Sequence, residues 1–167
     1  MSESSADVIR RYLEEAIAIE NGLESQLHGF IGKTHDAPVH KLLEHCAVDA
    51  KRHSEKLSEH LDVLGGRNAL GSGLLGRLFA VRPKVVHNDS DTDLTPDQQL
   101  VIVFAAENGG VAYYEALAGM AAAASDPESE TLVRSIQQEK RRATEEIWHL
   151  LSNASVQTQS SAPSERP

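Results

Sequence analysis

The chain has 167 residues, a length that favours one folded domain with a sizeable core. Its net charge of -9 argues against nucleic acid or an anionic membrane as a partner, because phosphate binding needs clustered lysine and arginine. Only 4% of the residues are aromatic, and a core of leucine, isoleucine, valine and alanine is typical of packed helices rather than of a sheet.

Targeting signals are not visible in the sequence. The N-terminal stretch "MSESSADVIR" lacks the basic region and apolar run of a secretory signal, and no apolar run approaches the ~18 residues needed to span a membrane. The single cysteine, Cys46, cannot form an internal disulfide, which is compatible with a reducing compartment. We therefore expect a soluble cytoplasmic protein.

Apolar residues predict a first helix over residues 7–31 and a second over residues 38–64. Both segments show the alternating spacing of three and four residues that is typical of a half-buried helix. Asp36 can cap the second helix, with Pro38 in its first turn. The glycine pair 65–66 then ends that helix.

A connector of about thirty residues follows, over positions 65–94. It contains the stretch "GSGLLGRLF", which we interpret as one short amphipathic turn of helix, and then a polar, turn-rich segment. Neighbouring helices that simply reverse direction need far fewer residues. The connector therefore predicts a crossover that returns the chain to the end of the bundle where the second helix began.

The third helix has a strong start signal in "TPDQ". Thr95 is the predicted cap, Pro96 takes the first helical position, and Gln98 is the partner of a capping box. The third helix continues to about residue 124. The stretch "SDPE" then begins a fourth helix over residues 127–152.

Residues 7–152 thus form the predicted domain, with a disordered N-terminus over residues 1–6 and a disordered tail over residues 153–167. The tail has almost no apolar content. A short link follows helix 1, a long crossover follows helix 2 and a short link follows helix 3. The four predicted helices connected in this way indicate an all-α fold. The expected architecture is a ferritin-like up-down-down-up four-helix bundle with a long crossover between helices 2 and 3.

Four acidic residues lie on or beside the apolar faces of these helices: Glu20, Asp49, Glu107 and Glu139. At 1.5 Å of rise per residue, all four lie roughly 16 to 20 Å from the same end of the bundle. His53 follows four residues after Asp49 on the same helix face. Carboxylates that converge in an apolar interior repel one another and lose hydration, so something must neutralise them. Divalent metal ions would do so, and glutamate-rich sites with one or two histidines suit iron or manganese.

Four segments of the sequence resemble one known group of proteins. The segments "YLEEAIAIENGLESQL", "VDAKRHSEKLSEHLDVLGG", "AAENGGVAYYEALAGMA" and "SIQQEKRRATEEIWHLL" are similar to bacterial ferritin-like proteins related to the YciE/YciF stress-protein family. The resemblance covers about residues 10–151. It implies a ferritin-like fold, a di-iron centre, dimerisation and a link to stress response, and it names no substrate.

The acidic positions match that family, but other positions depart from it. Asp49 stands where relatives usually have glutamate, and His53 where they often have glutamine. Gly110 stands where they often carry a further glutamate. Arg142 occupies the place of the histidine in the Glu-x-x-His pair of the wider ferritin-like group. These departures indicate a degraded or mononuclear site as the alternative to an intact di-iron centre.

Two functional hypotheses follow from these residues. The first is a metal-binding ferritin-like bundle that holds iron or manganese and, if redox active, oxidises Fe(II) or reduces a peroxide. Its ligands are Glu20, Asp49, His53, Glu107 and Glu139. The second is a structural or interaction bundle without metal, in which Arg142 reaches into the cluster and closes it with salt bridges. The sequence leaves enzyme status open, and a homodimer is expected in either case.

Several neighbouring residues have simpler interpretations. Tyr114 is expected to be a core tyrosine with its hydroxyl on a carboxylate. Gly109 and Gly110 each cost roughly 1 kcal/mol relative to alanine inside a helix, and they allow a partner helix to approach closely. Cys46 is expected to be a small buried apolar residue. The charged run "EKRR", residues 139–142, is interpreted as a solvent-exposed face.

Overall fold

The structure, a computed structural model, describes residues 4–66 and 94–160. Within these ranges the chain forms four helices and contains no strand, and short turns join the first helix to the second and the third to the fourth. The helices are α1 (Ser5–Ile31), α2 (Ala37–Val63), α3 (Pro96–Ala123) and α4 (Pro127–Ser160). None of the four combines the length and the apolar character needed to cross a membrane.

The predicted helix starts are confirmed at α2 and α3. The Asp36 side chain accepts a hydrogen bond from the backbone N–H of Val39 at 3.0 Å. At α3, the Gln98 N–H donates to Thr95 Oγ1 at 3.3 Å, and the Thr95 N–H donates to Gln98 Oε1 at 2.9 Å. Each cap satisfies backbone donors that a helix leaves unpaired at its first turn.

Two helix ends differ from the sequence-based prediction. α1 begins at Ser5 rather than at residue 7, because the Ser4 side chain accepts a hydrogen bond from the Asp7 N–H at 3.2 Å. α4 continues to Ser160 instead of ending at residue 152. No glycine or proline stands between positions 128 and 162, so nothing in the chain interrupts a helix that has already formed. The predicted tail beyond residue 160 and the predicted helical turn in the connector lie outside the described residues.

The helices pack as two antiparallel pairs, α1 with α2 and α3 with α4. One apolar cluster contains Leu57 near the end of α2 together with Tyr114 and Leu117 in the second half of α3. A second cluster, at the opposite end of the bundle, contains Leu43 near the start of α2 and Leu100 near the start of α3. α2 and α3 therefore run in the same direction, as predicted, so the end of α2 and the start of α3 lie at opposite ends of the bundle.

Cys46 belongs to the second apolar cluster and is 2% exposed. Burial raises the pKa of its thiol to about 12, and the nearby carboxylates of Glu107 and Asp49 act in the same direction. The thiol therefore stays protonated and behaves as the small buried apolar residue that the sequence predicts.

Candidate functional site

A layer of four ionisable side chains separates the two apolar clusters, and each helix contributes one of them. The four are Glu20, His53, Glu107 and Lys140, which we call the central layer. Each is at most 3% exposed. Burying an ion costs several kcal/mol of folding free energy unless nearby partners compensate for the lost hydration. The layer is therefore stable only because its members contact one another.

Lys140 lies between the two buried carboxylates. Its Nζ donates a hydrogen bond to Glu107 Oε2 at 2.9 Å and lies 3.1 Å from Glu20 Oε1. The Tyr114 hydroxyl also donates to Glu20 Oε1, at 2.7 Å, which agrees with the interpretation of a core tyrosine on a carboxylate. A single ammonium thus supplies the positive charge that a metal ion would supply between two carboxylates.

The cation that closes the layer is Lys140, and the prediction that Arg142 does so is wrong. Arg142 is exposed. Lys140 stands four residues after Ile136 and seven before Ile147, both fully buried, so it shares their helix face. Arg142 is displaced from Lys140 by about 200° around the helix. The interpretation of residues 139–142 as a solvent-exposed face therefore fails at position 140.

Gly110 of α3 provides the room that the Lys140 side chain needs. A Cβ atom at position 110 would lie 2.8 Å from Lys140 Cδ and 3.1 Å from its Cε. Both distances are shorter than ordinary carbon–carbon contacts of about 3.5–4.0 Å. The glycine predicted to allow close approach of a partner helix therefore admits one particular side chain from that helix.

The charges of the layer shift the pKa values of its members in different directions. Burial alone would raise the pKa of Glu20. Lys140 and His53, together with the Tyr114 hydroxyl, outweigh burial and hold that pKa below its usual value. Burial raises the pKa of Glu107; Lys140 opposes this rise and the Glu20 charge adds to it. Burial would lower the pKa of Lys140, but both carboxylates outweigh it and hold that pKa above its usual value.

Glu20 and Glu107 should therefore affect stability with opposite dependences on pH. The folded-state pKa of Glu107 lies above its usual 4.5, so the stability contributed by its proton is lost as pH rises from 4.5 through that pKa. The pKa of Glu20 lies below 4.5, so its contribution is present above 4.5 and lost as pH falls through the folded value.

Urea unfolding of the wild type, Glu107→Gln and Glu20→Gln across pH measures both effects. Relative to Glu107→Gln, the wild type should lose stability as pH increases above 4.5. Relative to Glu20→Gln, it should lose stability as pH decreases below 4.5. This charge distribution would be contradicted if the stability difference between the wild type and each variant changed with pH in the same direction for both variants.

His53 connects the central layer to the rim of the bundle. Its Nε2 lies 2.9 Å from Glu139 Oε2, and its Nδ1 lies 3.6 Å from Glu20 Oε2. Glu139 is partly exposed and also contacts Arg52. Burial would raise the pKa of Glu139, but His53 and Arg52 outweigh it and lower that pKa. Glu139 therefore orients the histidine from outside the layer.

The five predicted metal ligands thus occupy three different environments. Glu20, His53 and Glu107 belong to the central layer, and Glu139 touches it through His53. Asp49 lies outside the layer, with 16% of its side chain exposed and its Oδ1 2.7 Å from the Arg52 guanidinium. Contacts link Glu20, His53 and Glu139 directly and Glu20 to Glu107 through Lys140, whereas Asp49 is turned toward the surface.

The arrangement of these residues does not fit a resident metal ion. Among residues 4–66 and 94–160, no three or more His, Cys, Asp or Glu side chains are grouped so that they could hold one. The two carboxylates that could bridge a metal instead share the Lys140 ammonium. Ligation of iron or manganese by the five residues stays a prediction.

Comparison with known proteins identifies the fold. No protein-family model and no curated protein sequence matches the chain. Among solved structures, the dodecameric thioferritin of Bacteroides fragilis, a bacterioferritin-related protein, superposes with a TM-score of 0.77 at 16% identity, covering 95% of this chain and 92% of its own. Dps from Thermosynechococcus elongatus gives 0.71 at 15% identity, covering 88% and 92%. A protein from Xanthomonas campestris pv. campestris gives 0.72 at 18%, covering 91% and 93%.

These likenesses show a ferritin-like four-helix bundle, which confirms the predicted fold class. At identities below one fifth they establish the fold alone. The fold and the central layer together define a ferritin-like bundle that carries an ammonium–carboxylate cluster at its centre.

Proposed function

We propose that this protein is a ferritin-like bundle of the structural or interaction class, in which Lys140 takes the place of a metal ion. One observation carries the proposal: Lys140 Nζ lies within 3.1 Å of a carboxylate oxygen of both Glu20 and Glu107. An ammonium held by two buried carboxylates has no open coordination position and no redox chemistry. The interior therefore stabilises the bundle, and the outer faces carry its activity.

The outer faces fit a protein that associates with itself. Large apolar side chains are exposed on three helices: Val48 and Val63 on α2, Val101 on α3 and Trp148 on α4. The Bacteroides fragilis thioferritin, which shares the fold, is described as dodecameric. We propose that this chain forms a homo-oligomer, with a homodimer as its smallest unit. The resemblance to the YciE/YciF group supports the further proposal that it is a cytoplasmic stress-associated protein.

A second candidate function is metal binding at the same place. It is supported by two buried atoms without a hydrogen-bond partner, Glu20 Oε2 and His53 Nδ1, which lie 3.6 Å apart. Such atoms are expected to have a ligand, because unsatisfied buried polar groups are costly. In this reading Lys140 leaves the layer, and Glu20, Asp49, His53, Glu107 and Glu139 hold iron or manganese.

Metal analysis separates the two candidates. The wild type, Glu20→Gln and the surface control Glu59→Gln are purified after growth with added iron, and bound metal and Fe(II) oxidation in air are measured for each. The proposal predicts no stoichiometric metal in any of the three proteins and oxidation no faster than in buffer. Stoichiometric iron or manganese in the wild type and the control, lost in Glu20→Gln, would establish the second candidate instead.

A further inference from the structure

We infer that two copies of this chain associate through the outer side of α3 and α4, with Trp148 of each copy packed against Phe104 of the other. We call this surface the α3/α4 face, and it is formed by Val101, Phe104, Glu115, Arg134, Arg141 and Trp148. The inference rests on the homo-oligomer of the proposed function and names the surface that forms it.

The outer side of α3 is unusually poor in charge for a helix at the surface of a bundle. Residues 98–123 contain only two charged side chains, Glu107 and Glu115, and Glu107 is buried in the central layer. The exposed positions on the outer side are mostly apolar or small: Val101, Ala105, Asn108, Ala112 and Ala116. A helix that meets solvent usually has a charged outer face, and one that is apolar all round is usually covered. The outer side of α3 is therefore suited to contact with another protein surface.

An aromatic pair lies toward one end of the α3/α4 face. The rings of Phe104 on α3 and Trp148 on α4 contact each other, with their centroids 5.7 Å apart. Trp148 is nevertheless 58% exposed, and Val101, one turn before Phe104, is 55% exposed. Tryptophan is among the residues most enriched at the energetic centres of interfaces. An exposed aromatic pair beside an apolar helix side therefore indicates a contact with a partner.

The charges of the α3/α4 face favour a second copy as that partner. Arg134 and Arg141 on α4 each lie 3.7 Å from the Glu115 carboxylate on α3, so α4 carries the positive charges and α3 the negative one at the same height. A two-fold axis parallel to the helices places α4 of one copy opposite α3 of the other without a shift in height. Each copy then sets its two guanidinium groups opposite Glu115 of the other, and its Trp148 opposite Phe104 of the other.

The α3/α4 face is also large enough for a stable interface. α3 has 28 residues and is therefore about 40 Å long, and two helices side by side are roughly 20 Å wide. The face thus offers about 800 Å², which is the area that each partner buries in a typical stable complex. A second copy can cover the apolar side of α3 without any change of fold.

Substitution of two exposed valines tests which surface is used. Val101→Glu puts a carboxylate on the α3/α4 face, and the matched control Val48→Glu makes the same change on α2, where valine is 62% exposed. Sedimentation velocity of the full chain measures self-association at neutral pH over a range of concentrations. Val101→Glu should raise the dissociation constant at least about 100-fold, because the new carboxylate loses its hydration without gaining a partner. Val48→Glu should change it less than about threefold.

Tryptophan fluorescence gives a second measurement, because Trp148 is the only tryptophan of the chain. The wild-type oligomer buries Trp148 under the other copy, whereas the Val101→Glu monomer leaves it largely exposed to water. The monomer should therefore emit at a longer wavelength than the wild type and the Val48→Glu control. Circular dichroism verifies that both variants keep the helical content of the wild type.

A mixing experiment tests whether the partner is a second copy in the inferred orientation. Glu115→Arg and Arg141→Glu should each weaken self-association about 10-fold, because like charges then face each other across the interface. A 1:1 mixture of the two variants should recover most of the wild-type affinity. In the mixed dimer, the arginine at position 115 meets the glutamate at position 141, and Arg141 of the first variant meets Glu115 of the second.

The inference is overturned if Val101→Glu and Val48→Glu weaken the oligomer equally, if Trp148 emits alike in monomer and oligomer, or if the mixture recovers no affinity. In these cases the wild type is still an oligomer, so the proposed homo-oligomer survives and another surface forms it. A wild type that stays monomeric at every concentration overturns both, including the case in which it binds a different protein through this face. The metal content of the wild type tests the role of Lys140 separately.

Discussion

Replacing Lys140 by methionine should lower the free energy of unfolding by about 3–5 kcal/mol, the loss expected when one partner of a buried ion pair is removed. Methionine retains most of the lysine stem, so the loss reports the missing charge rather than a cavity. Without the ammonium, the carboxylates of Glu20 and Glu107 are buried with no cation between them. Urea unfolding at neutral pH in metal-free buffer measures the difference.

The matched control for this experiment is Arg142→Met on the same helix. Arg142 is exposed, so its replacement should change the free energy of unfolding by no more than about 0.5 kcal/mol. The loss in Lys140→Met should shrink as pH falls toward 4.5, because buried carboxylates without a counter-charge have raised pKa values and accept protons. Equal effects of the two substitutions would show that the ammonium does not hold the layer together.

Gly110→Ala should lower the free energy of unfolding by about 2 kcal/mol, within the range for overpacked sites. The new Cβ would lie 2.8 Å from Lys140 Cδ, and the lysine stem has little freedom to move because both carboxylates hold its Nζ. In the Lys140→Ala background the same substitution meets no such stem. There it should stabilise the protein by about 1 kcal/mol, the helix propensity gained on replacing glycine by alanine.

A double-mutant cycle measures this coupling, with an expected interaction free energy of about 3 kcal/mol. Gly119→Ala serves as the control in both backgrounds. Gly119 also lies within α3, but a Cβ there would have no heavy atom within 4 Å. Gly119→Ala should therefore stabilise the protein by about 1 kcal/mol whether or not Lys140 is present. If Gly110→Ala changed the free energy of unfolding in the same direction in both backgrounds, Gly110 would not be needed to make room for the Lys140 side chain.

The fold could be predicted because its signals are local. Each signal involves residues of a single helix only. Examples are the capping box of Thr95 and Gln98, the cap at Asp36 and the periodic apolar residues. Only the start of α1 and the end of α4 differ from the predicted positions. α4 runs past residue 152 because polar residues without glycine or proline remain compatible with a helix, although their composition resembles that of a disordered tail.

The site could be predicted only in part, and the physical reason differs between residues. Rise per residue is constant in a helix, so Glu20 and Glu107 could be placed at one level, and the structure does bring them to the same ammonium. Rotation about the helix axis is less certain, and Asp49 consequently faces Arg52 at the surface instead of the layer.

Lys140 was the residue that sequence reasoning missed. The signal was its spacing from Ile136 and Ile147, which puts a lysine on a buried helix face. That signal was outweighed by the neighbouring charges in "EKRR", which favour an exposed face. Whether the stem can enter the interior depends on Gly110, thirty positions away on another helix, and a single sequence does not reveal such a pairing.

The most direct test of the central claim is anomalous diffraction from wild-type crystals soaked in an iron salt, with data collected at the iron edge. We expect electron density for Lys140 Nζ within hydrogen-bond distance of both Glu20 and Glu107, and no anomalous peak between those carboxylates. An anomalous peak at that position, with the lysine side chain turned away, would contradict it.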